Sequence, residues 1–103
     1  MFVEQKSDLT MNIFTRTITD KNGNHLYLTS KEFDLFYFLY SYRGQVFTKE
    51  QLYENVWGYD YAPDANNLIS FIRKLRKKIE PDPDKPQYII TVWGVGYKFA
   101  KDI

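Results

Sequence analysis

The pattern of apolar and polar positions divides the 103-residue chain into three stretches. Residues 1–28 contain short runs of β-branched and aromatic residues, which are typical of strands. The pair Asn22-Gly23 is a strong signal for a hairpin turn. This stretch therefore predicts a small antiparallel sheet whose strands lie in "FVEQ", "LTMNIF", "TRTIT" and "HLYL".

The pattern becomes helical at residue 29. Thr29 and Glu32 have the spacing of a capping box, and Gly44 is a typical helix stop. Between them, apolar residues recur at helical spacing at Phe33, Phe36, Tyr37 and Tyr40. A second capping box, Thr48 with Gln51, predicts a short second helix that ends near Gly58.

A third helix is predicted over residues 64–80, because three prolines follow and prevent its continuation. One stripe of this helix is apolar and predicts its buried side, through Leu68, Ile72, Leu75 and Ile79. The last segment, residues 87–100, predicts a β-hairpin that turns near Trp93-Gly94. The order of elements indicates one α+β domain over 1–103, with a sheet in 1–28 and three helices in 29–80.

Composition excludes several classes of protein. There is no Cys and a single His, so disulfides and Cys- or His-based metal sites are excluded, and no cofactor or metal is expected. No phosphate-binding Gly loop and no Ser/His/Asp set is present, so an enzyme is not expected. No apolar run approaches the roughly 20 residues that cross a bilayer, and no signal core is present, which favours a cytoplasmic protein.

Charge is unevenly distributed, although the net charge is only +1. The segment "RKLRKK", residues 73–78, has five basic side chains in six positions, and no acid lies between Asp64 and Glu80. A solvated helix face usually mixes its charges, because opposite charges at i,i+4 attract and like charges repel. On the helical wheel Arg73, Lys74 and Lys77 oppose the apolar stripe, and Arg76 and Lys78 lie towards its flanks. The pattern favours a phosphate partner, with a solvated basic face as the alternative.

Four segments together resemble the effector domain of OmpR/PhoB-type response regulators. In order they are "LTSKEFDLFYFL", "VFTKEQLYENVWGYDY", "FIRKLRKKIE" and "YIITVWGVGYKF". The resemblance implies a winged helix-turn-helix, with an N-terminal antiparallel four-stranded sheet, three helices and a C-terminal β-hairpin wing. It also implies sequence-specific binding of double-stranded DNA in bacterial transcription regulation, with the third helix in the major groove and the wing in the minor groove.

The resemblance further implies partners for the chain. In such two-component systems a sensor kinase acts on an N-terminal receiver domain, and two copies bind tandem DNA half-sites. Nothing in this sequence is similar to a receiver, so an effector domain apart from its receiver is expected, with Met1 as an added start. The loop at residues 57–64 resembles the one that faces RNA polymerase, which assigns that contact to Gly58, Tyr59, Asp60 and Tyr61.

Site residues follow from the same resemblance and, for Trp57 and the basic residues, from their donor and charge chemistry. Base contacts are expected from Lys74, Ser70, Ile69 and Trp93. Phosphate contacts are expected from Trp57, Asn66, Asn67, Phe71, Arg73, Arg76, Lys77, Lys78, Thr91 and Tyr97. The chain departs from the usual family residue at Asn66, Ile69, Phe71 and Trp93, which indicates an altered sequence preference or weaker binding.

Several of these residues have a structural alternative. Asn66 and Asn67 can cap the third helix, Trp57 and Tyr97 can pack internally, and Arg76 can pair with an acid of the first helix. The alternative for the whole domain is a winged helix that binds proteins and not DNA. If the basic face neutralises about four to six phosphates, DNA affinity must fall as the salt concentration rises. The slope of log affinity against log salt is then about −0.9 for each phosphate.

Overall fold

The computed structural model describes residues 9–58 and 65–101, and of residues 65 and 66 only the backbone. Its N-terminal sheet is antiparallel, in the order β1 (Thr10–Asn12), β2 (Thr17–Thr19) and β3 (His25–Leu26). The β2–β3 turn contains Gly23 with a φ of 84°, a conformation that glycine adopts without strain. The predicted hairpin is therefore present.

The N-terminal sheet has three strands in the described part of the chain, not the predicted four. The predicted strand "FVEQ" lies outside the described residues. The other three are present but shorter than their runs of strand-forming residues. After β1 the side-chain carbonyl of Asn12 accepts hydrogen bonds from the amides of Phe14 and Thr15, which turns the chain before a longer strand can form.

The first helix, α1, spans Ser30–Ser41 and begins at the predicted capping box. The Thr29 amide donates to Glu32 Oε1 at 2.8 Å, and the Glu32 amide donates to Thr29 Oγ1 at 3.3 Å. The apolar stripe is rotated from the predicted one, because Tyr37 is exposed and Leu35 is buried. The buried apolar residues of α1 are Phe33, Leu35, Phe36 and Leu39.

The second helix, α2, spans Lys49–Leu52 and continues as a π-helical segment over Tyr53–Trp57. Its capping box joins Thr48 and Gln51 as predicted. Gly58 ends the helix with a φ of 104°. The third helix, α3, spans Ala65–Ile79. Its predicted buried stripe is confirmed, since the four side chains are at most 5% exposed: Leu68, Ile72, Leu75 and Ile79.

The wing is a three-stranded sheet and not only the predicted hairpin. Strands β5 (Ile89–Val92) and β6 (Gly96–Phe99) form the hairpin, and the two-residue strand β4 (Phe47–Thr48) pairs with β6 in the order β4-β6-β5. Gly96 is required there, because a Cβ would collide with the Phe47 carbonyl oxygen. The added strand ties the wing to the start of α2.

Aromatic side chains join the wing to α1. The Phe99 ring contacts Phe36 and Tyr40 edge-on, with centroid distances of 5.4 and 5.2 Å, and stacks with Tyr88. The Gly44 amide donates to the Phe99 carbonyl at 2.8 Å. The core thus fixes the position of the wing relative to the helices. Within the described residues no helix is long and apolar enough to cross a membrane.

Candidate nucleic-acid interface

The exposed side of α3 has three basic side chains that form no ion pair with an acid in the described part of the chain. Arg73, Lys74 and Lys77 are exposed, and none of them forms a hydrogen bond or ion pair with another described residue. Ser70 and Ile69 lie exposed one to two turns earlier on the same helix. The helix thus presents cations along its C-terminal half and uncharged groups before them.

Arg76 belongs to the same basic run but points into the fold. Its guanidinium donates to the Ile89 carbonyl from Nε at 3.2 Å and from Nη2 at 2.8 Å, and Nη2 also donates to Thr91 Oγ1 at 2.9 Å. Burial lowers the pKa of Arg76, and the nearby charges of Tyr97 and Glu80 oppose that change. Arg76 therefore joins α3 to strand β5 of the wing.

Lys78 is also engaged within the fold. Its Nζ donates to Glu32 Oε1 at 2.6 Å, across 46 positions of the chain. Burial raises the pKa of the Glu32 carboxyl, but the hydrogen bonds from Lys78 and Thr29 and the charge of Lys78 outweigh it, so that the pKa is below its usual value. The acid of the first helix thus pairs with Lys78, and not with Arg76 as the alternative had it.

Of the five basic residues in "RKLRKK", two are therefore held by internal partners. Both Arg76 and Lys78 lie on the flanks of the helical wheel, next to the buried stripe. This position is the feature of the sequence that distinguishes them from the other three basic residues. We call the remaining three, Arg73, Lys74 and Lys77, the basic face. Fewer cations are therefore available to bind phosphates than the sequence indicates.

The tip of the wing is apolar and open to solvent. Trp93 is 88% exposed and Val95 is 50% exposed, on either side of Gly94, whose φ is 80°. Thr91, lower on the wing, has its hydroxyl oxygen in the bond from Arg76. Tyr97 is buried, with the Arg76 guanidinium carbon 5.8 Å from its ring centroid. Its ring thus has the structural role considered as the alternative.

Two aromatic residues assigned to phosphate contacts pack against each other. The Trp57 and Phe71 rings meet edge-on at a centroid distance of 5.1 Å, and Trp57 also lies 5.3 Å from Tyr53. Both Trp57 and Phe71 are half-buried. This contact fixes the angle between the second helix and α3, and it leaves part of each ring at the surface.

Some predicted residues cannot be placed against the site. The side chain of Asn66 and the loop residues Tyr59, Asp60 and Tyr61 lie outside the described part of the chain. Asn67 is exposed near the start of α3. Gly58 is at the end of the second helix, where the loop begins.

Glu80 is a structural determinant of the site that the sequence did not reveal. Its carboxylate is buried at the end of α3 and accepts hydrogen bonds from the amides of Gln87, Tyr88 and Ile89, at 2.8 to 3.1 Å. It thereby fixes the start of β5 to α3. The sequence shows only that Glu80 is an acid between a helix and a proline-rich connector. Its hydrogen-bond partners depend on the tertiary fold and could not be predicted.

The described residues include no group of three or more His, Cys, Asp or Glu placed to hold a metal ion. The candidate site instead presents cations, amides, hydroxyls and exposed apolar rings. Such a set suits binding to an anionic polymer, by phosphate neutralisation and by contact with base edges.

Comparison with known proteins identifies the family. The family model described as "Transcriptional regulatory protein, C terminal" matches residues 23–99, which is most of the chain. The chain belongs to the OmpR/PhoB-type family of DNA-binding effector domains. The match includes all three helices and the wing of this effector domain.

Solved structures similar to this effector domain support the same family assignment. The DNA-binding domain of Bacillus subtilis CssR is 32% identical, with a TM-score of 0.77, over 88% of this chain and 98% of that one. The Klebsiella pneumoniae RstA DNA-binding domain, solved in complex with the RstA box, is 28% identical, with a TM-score of 0.83, over 95% of this chain and 96% of that one.

One similar structure is that of a longer protein. The Thermotoga maritima response regulator DrrB, an OmpR/PhoB homologue, is 35% identical, with a TM-score of 0.83. The similarity covers 94% of this chain but 43% of that one. The chain thus corresponds to less than half of that response regulator.

Proposed function

We propose that this effector domain binds double-stranded DNA sequence-specifically to regulate transcription, with α3 in the major groove and the wing in the minor groove. The observation that carries the proposal is the basic face, Arg73, Lys74 and Lys77, on the solvent side of an amphipathic helix. An α-helix fits the width of the major groove. The exposed wing tip supplies a second contact next to the helix.

Base readout is proposed for Lys74, Ser70 and Ile69 on α3 and for Trp93 on the wing. Lys can donate to the O6 and N7 acceptors of guanine, Ser can donate or accept, and the Ile side chain can contact a thymine methyl. Ser70 and Ile69 lie exposed on α3 before the cations, where they can reach base edges. These roles explain specificity, which phosphate contacts alone do not provide.

Phosphate contacts are proposed first for Arg73 and Lys77, which have no partner among the described residues. The side-chain amides of Asn66 and Asn67, the Trp57 indole and the Thr91 hydroxyl remain proposed donors. Phe71 and Tyr97 remain as apolar contacts at most. Arg76 and Lys78 are better explained as positioning residues, because Arg76 donates to the Ile89 carbonyl and Lys78 donates to the Glu32 carboxylate.

The wider partners are proposed from the family. In this proposal the domain follows a receiver that responds to a sensor kinase, two copies occupy tandem half-sites, and the loop after Gly58 faces RNA polymerase. The length of DrrB supports the receiver, since this chain covers 43% of it. Location in the cytoplasm likewise stays a prediction.

Selection from a random duplex pool, followed by methylation interference, tests this arrangement. Methylation of guanine N7 modifies the major groove, and methylation of adenine N3 modifies the minor groove. We expect N7 interference in the centre of each selected half-site and N3 interference on one side of it. Failure to enrich any sequence would favour the alternative, a winged helix that binds protein.

A further inference from the structure

Three charged side chains form a chain of polar contacts from the N-terminal sheet to the end of the second helix. Arg16, in the β1–β2 turn, donates from Nη2 to Asp34 Oδ1 at 2.7 Å. The other carboxylate oxygen of Asp34 lies 3.7 Å from the Nζ of Lys31, one turn earlier on α1. That Nζ donates to the Val56 carbonyl at 2.9 Å. The contacts thus cross three elements that are far apart in sequence.

Arg16 has a backbone conformation that a residue with a Cβ rarely adopts. Its φ is 57°, in the left-handed region, which is unfavourable for any residue other than glycine. Its guanidinium also donates to the Ser30 carbonyl at 3.0 Å and lies over the Phe33 ring, 4.6 Å from the centroid. Such a conformation persists only where the surrounding contacts hold it. Arg16 therefore fixes the sheet to the first turns of α1.

Lys31 holds the last turn of the second helix. The carbonyl groups at the end of a helix lack partners within that helix, and its negative end favours a cationic donor. Val56 belongs to the π-helical segment Tyr53–Trp57, a kind of segment that is frequent at functional sites. The bond from Lys31 to the Val56 carbonyl therefore fixes the place where this segment ends.

The residue after Val56 is in contact with α3. The Trp57 ring meets Phe71 edge-on at a centroid distance of 5.1 Å. Phe71 lies two positions before Arg73, the first cation of the basic face. A shift at the end of the second helix would displace this contact and change the angle of α3. Binding sites tolerate little displacement, because their side chains must be held near the productive geometry.

We propose that Lys31 is a positioning residue for DNA recognition, which sets the orientation of α3 through the end of the second helix. Asp34 and Arg16 support it by holding the lysine side chain. This inference rests on the proposed DNA binding. Hydrogen bonds to base edges need a defined geometry, whereas attraction between cations and phosphates depends on it less. Loss of the Lys31 bond should therefore reduce sequence preference more than general affinity.

Substitutions at residue 31 separate positioning from charge. Lys31→Met keeps the apolar stem and removes the donor, and Lys31→Arg keeps a cationic donor. In titrations of the selected and the random duplex, Lys31→Met should lower the preference for the selected site about two- to tenfold, the effect of one hydrogen bond. The salt slope should not change, and Lys31→Arg should restore most of the preference. Lys21→Met, which removes an exposed lysine of the β2–β3 turn, is the charge-matched control.

A double-mutant cycle tests whether Asp34 acts through Lys31. Asp34→Asn removes the charge that holds the lysine, so we expect a smaller loss of preference than in Lys31→Met. The two substitutions together should cost no more than Lys31→Met alone, because both act through one bond. Additive losses would show that Asp34 acts independently, which would overturn its supporting role. Asp34→Asn also carries the test if Lys31→Met does not fold.

The fluorescence of Trp57 reports the contact with α3 without DNA. The chain has two tryptophans, so the measurement uses a Trp93→Phe background in which Trp57 alone remains. Lys31→Met should raise acrylamide quenching of Trp57, because its half-buried ring packs less firmly against Phe71. Lys31→Arg and Lys21→Met should leave the quenching unchanged.

The results that overturn this inference differ from those that overturn the proposed function. Unchanged sequence preference in Lys31→Met, or a loss equal to that of Lys21→Met, would show that Lys31 does not position α3. A reduced salt slope in Lys31→Met would make Lys31 a phosphate contact instead. In all of these cases DNA binding by the domain would stand. If the wild type itself enriches no sequence and shows no salt-sensitive binding, the proposed function fails and this inference fails with it.

Discussion

Two neighbouring lysines of the basic face have different proposed roles. Lys74 is assigned to a base edge and Lys77 to a phosphate, and both are exposed without a described partner. We expect Lys74→Ala to lower the preference for the selected site over random DNA by about 1–3 kcal/mol. Lys77→Ala should weaken binding to the selected site and to random DNA alike, and it should reduce the salt slope by about 1. Equal losses on both duplexes for both variants would remove the base role of Lys74.

A second residue-scale prediction concerns the Lys78–Glu32 pair. Because the pKa of Glu32 is lowered in the fold, its charged form stabilises the protein above the ordinary value of about 4.5, and this stability is lost as the pH falls through the lowered pKa. Glu32→Gln keeps a residue that suits the capping box and removes the charge.

The pH dependence of thermal unfolding measures this contribution. We expect the melting temperature of the wild type to fall more steeply between pH 6 and pH 3 than that of Glu32→Gln. Lys78→Ala should destabilise the protein by about 1–3 kcal/mol at pH 7, since the buried carboxylate loses a charged partner. Parallel pH profiles of wild type and Glu32→Gln would show that the pair contributes nothing to stability.

Among the elements, the connection between α3 and the wing matters most. Arg76 makes three hydrogen bonds to β5, so Arg76→Gln should loosen the wing and accelerate amide hydrogen exchange in residues 89–92. The salt slope should stay unchanged, because Arg76 is held within the fold. Thr91→Val, which removes one of the three bonds, serves as the matched control with a smaller effect. A reduced slope in Arg76→Gln would instead make Arg76 a phosphate contact.

The elements themselves could largely be predicted from the sequence. Capping boxes at Thr29 and Thr48 and the stripe through Leu68 and Ile79 are local signals, and the structure has helices at those places. Strand β4 could not be predicted, because two residues before a helix cap give no periodicity. The same holds for the partners of Arg76, which depend on packing between elements far apart in sequence.

At the level of the whole molecule, the net charge of +1 conceals a basic face on one side. Two of the five cations in residues 73–78 are used for internal structure, which leaves Arg73, Lys74 and Lys77 for a partner. With Lys74 assigned to a base edge, the expected number of neutralised phosphates for this face therefore falls from about four to six to about two. The wing tip, Trp93 to Val95, adds no charge to this face.

Fluorescence anisotropy with a random duplex, across several salt concentrations, tests the central claim most directly. For the wild type we predict a slope of log affinity against log salt near −1.8, from about 0.9 for each of the two phosphates assigned to Arg73 and Lys77. The folded double variant Lys74→Ala/Lys77→Ala should have a slope near −0.9 and bind far more weakly. A flat salt response of the wild type, or equal slopes for the two proteins, would contradict the claim that the basic face binds DNA phosphates.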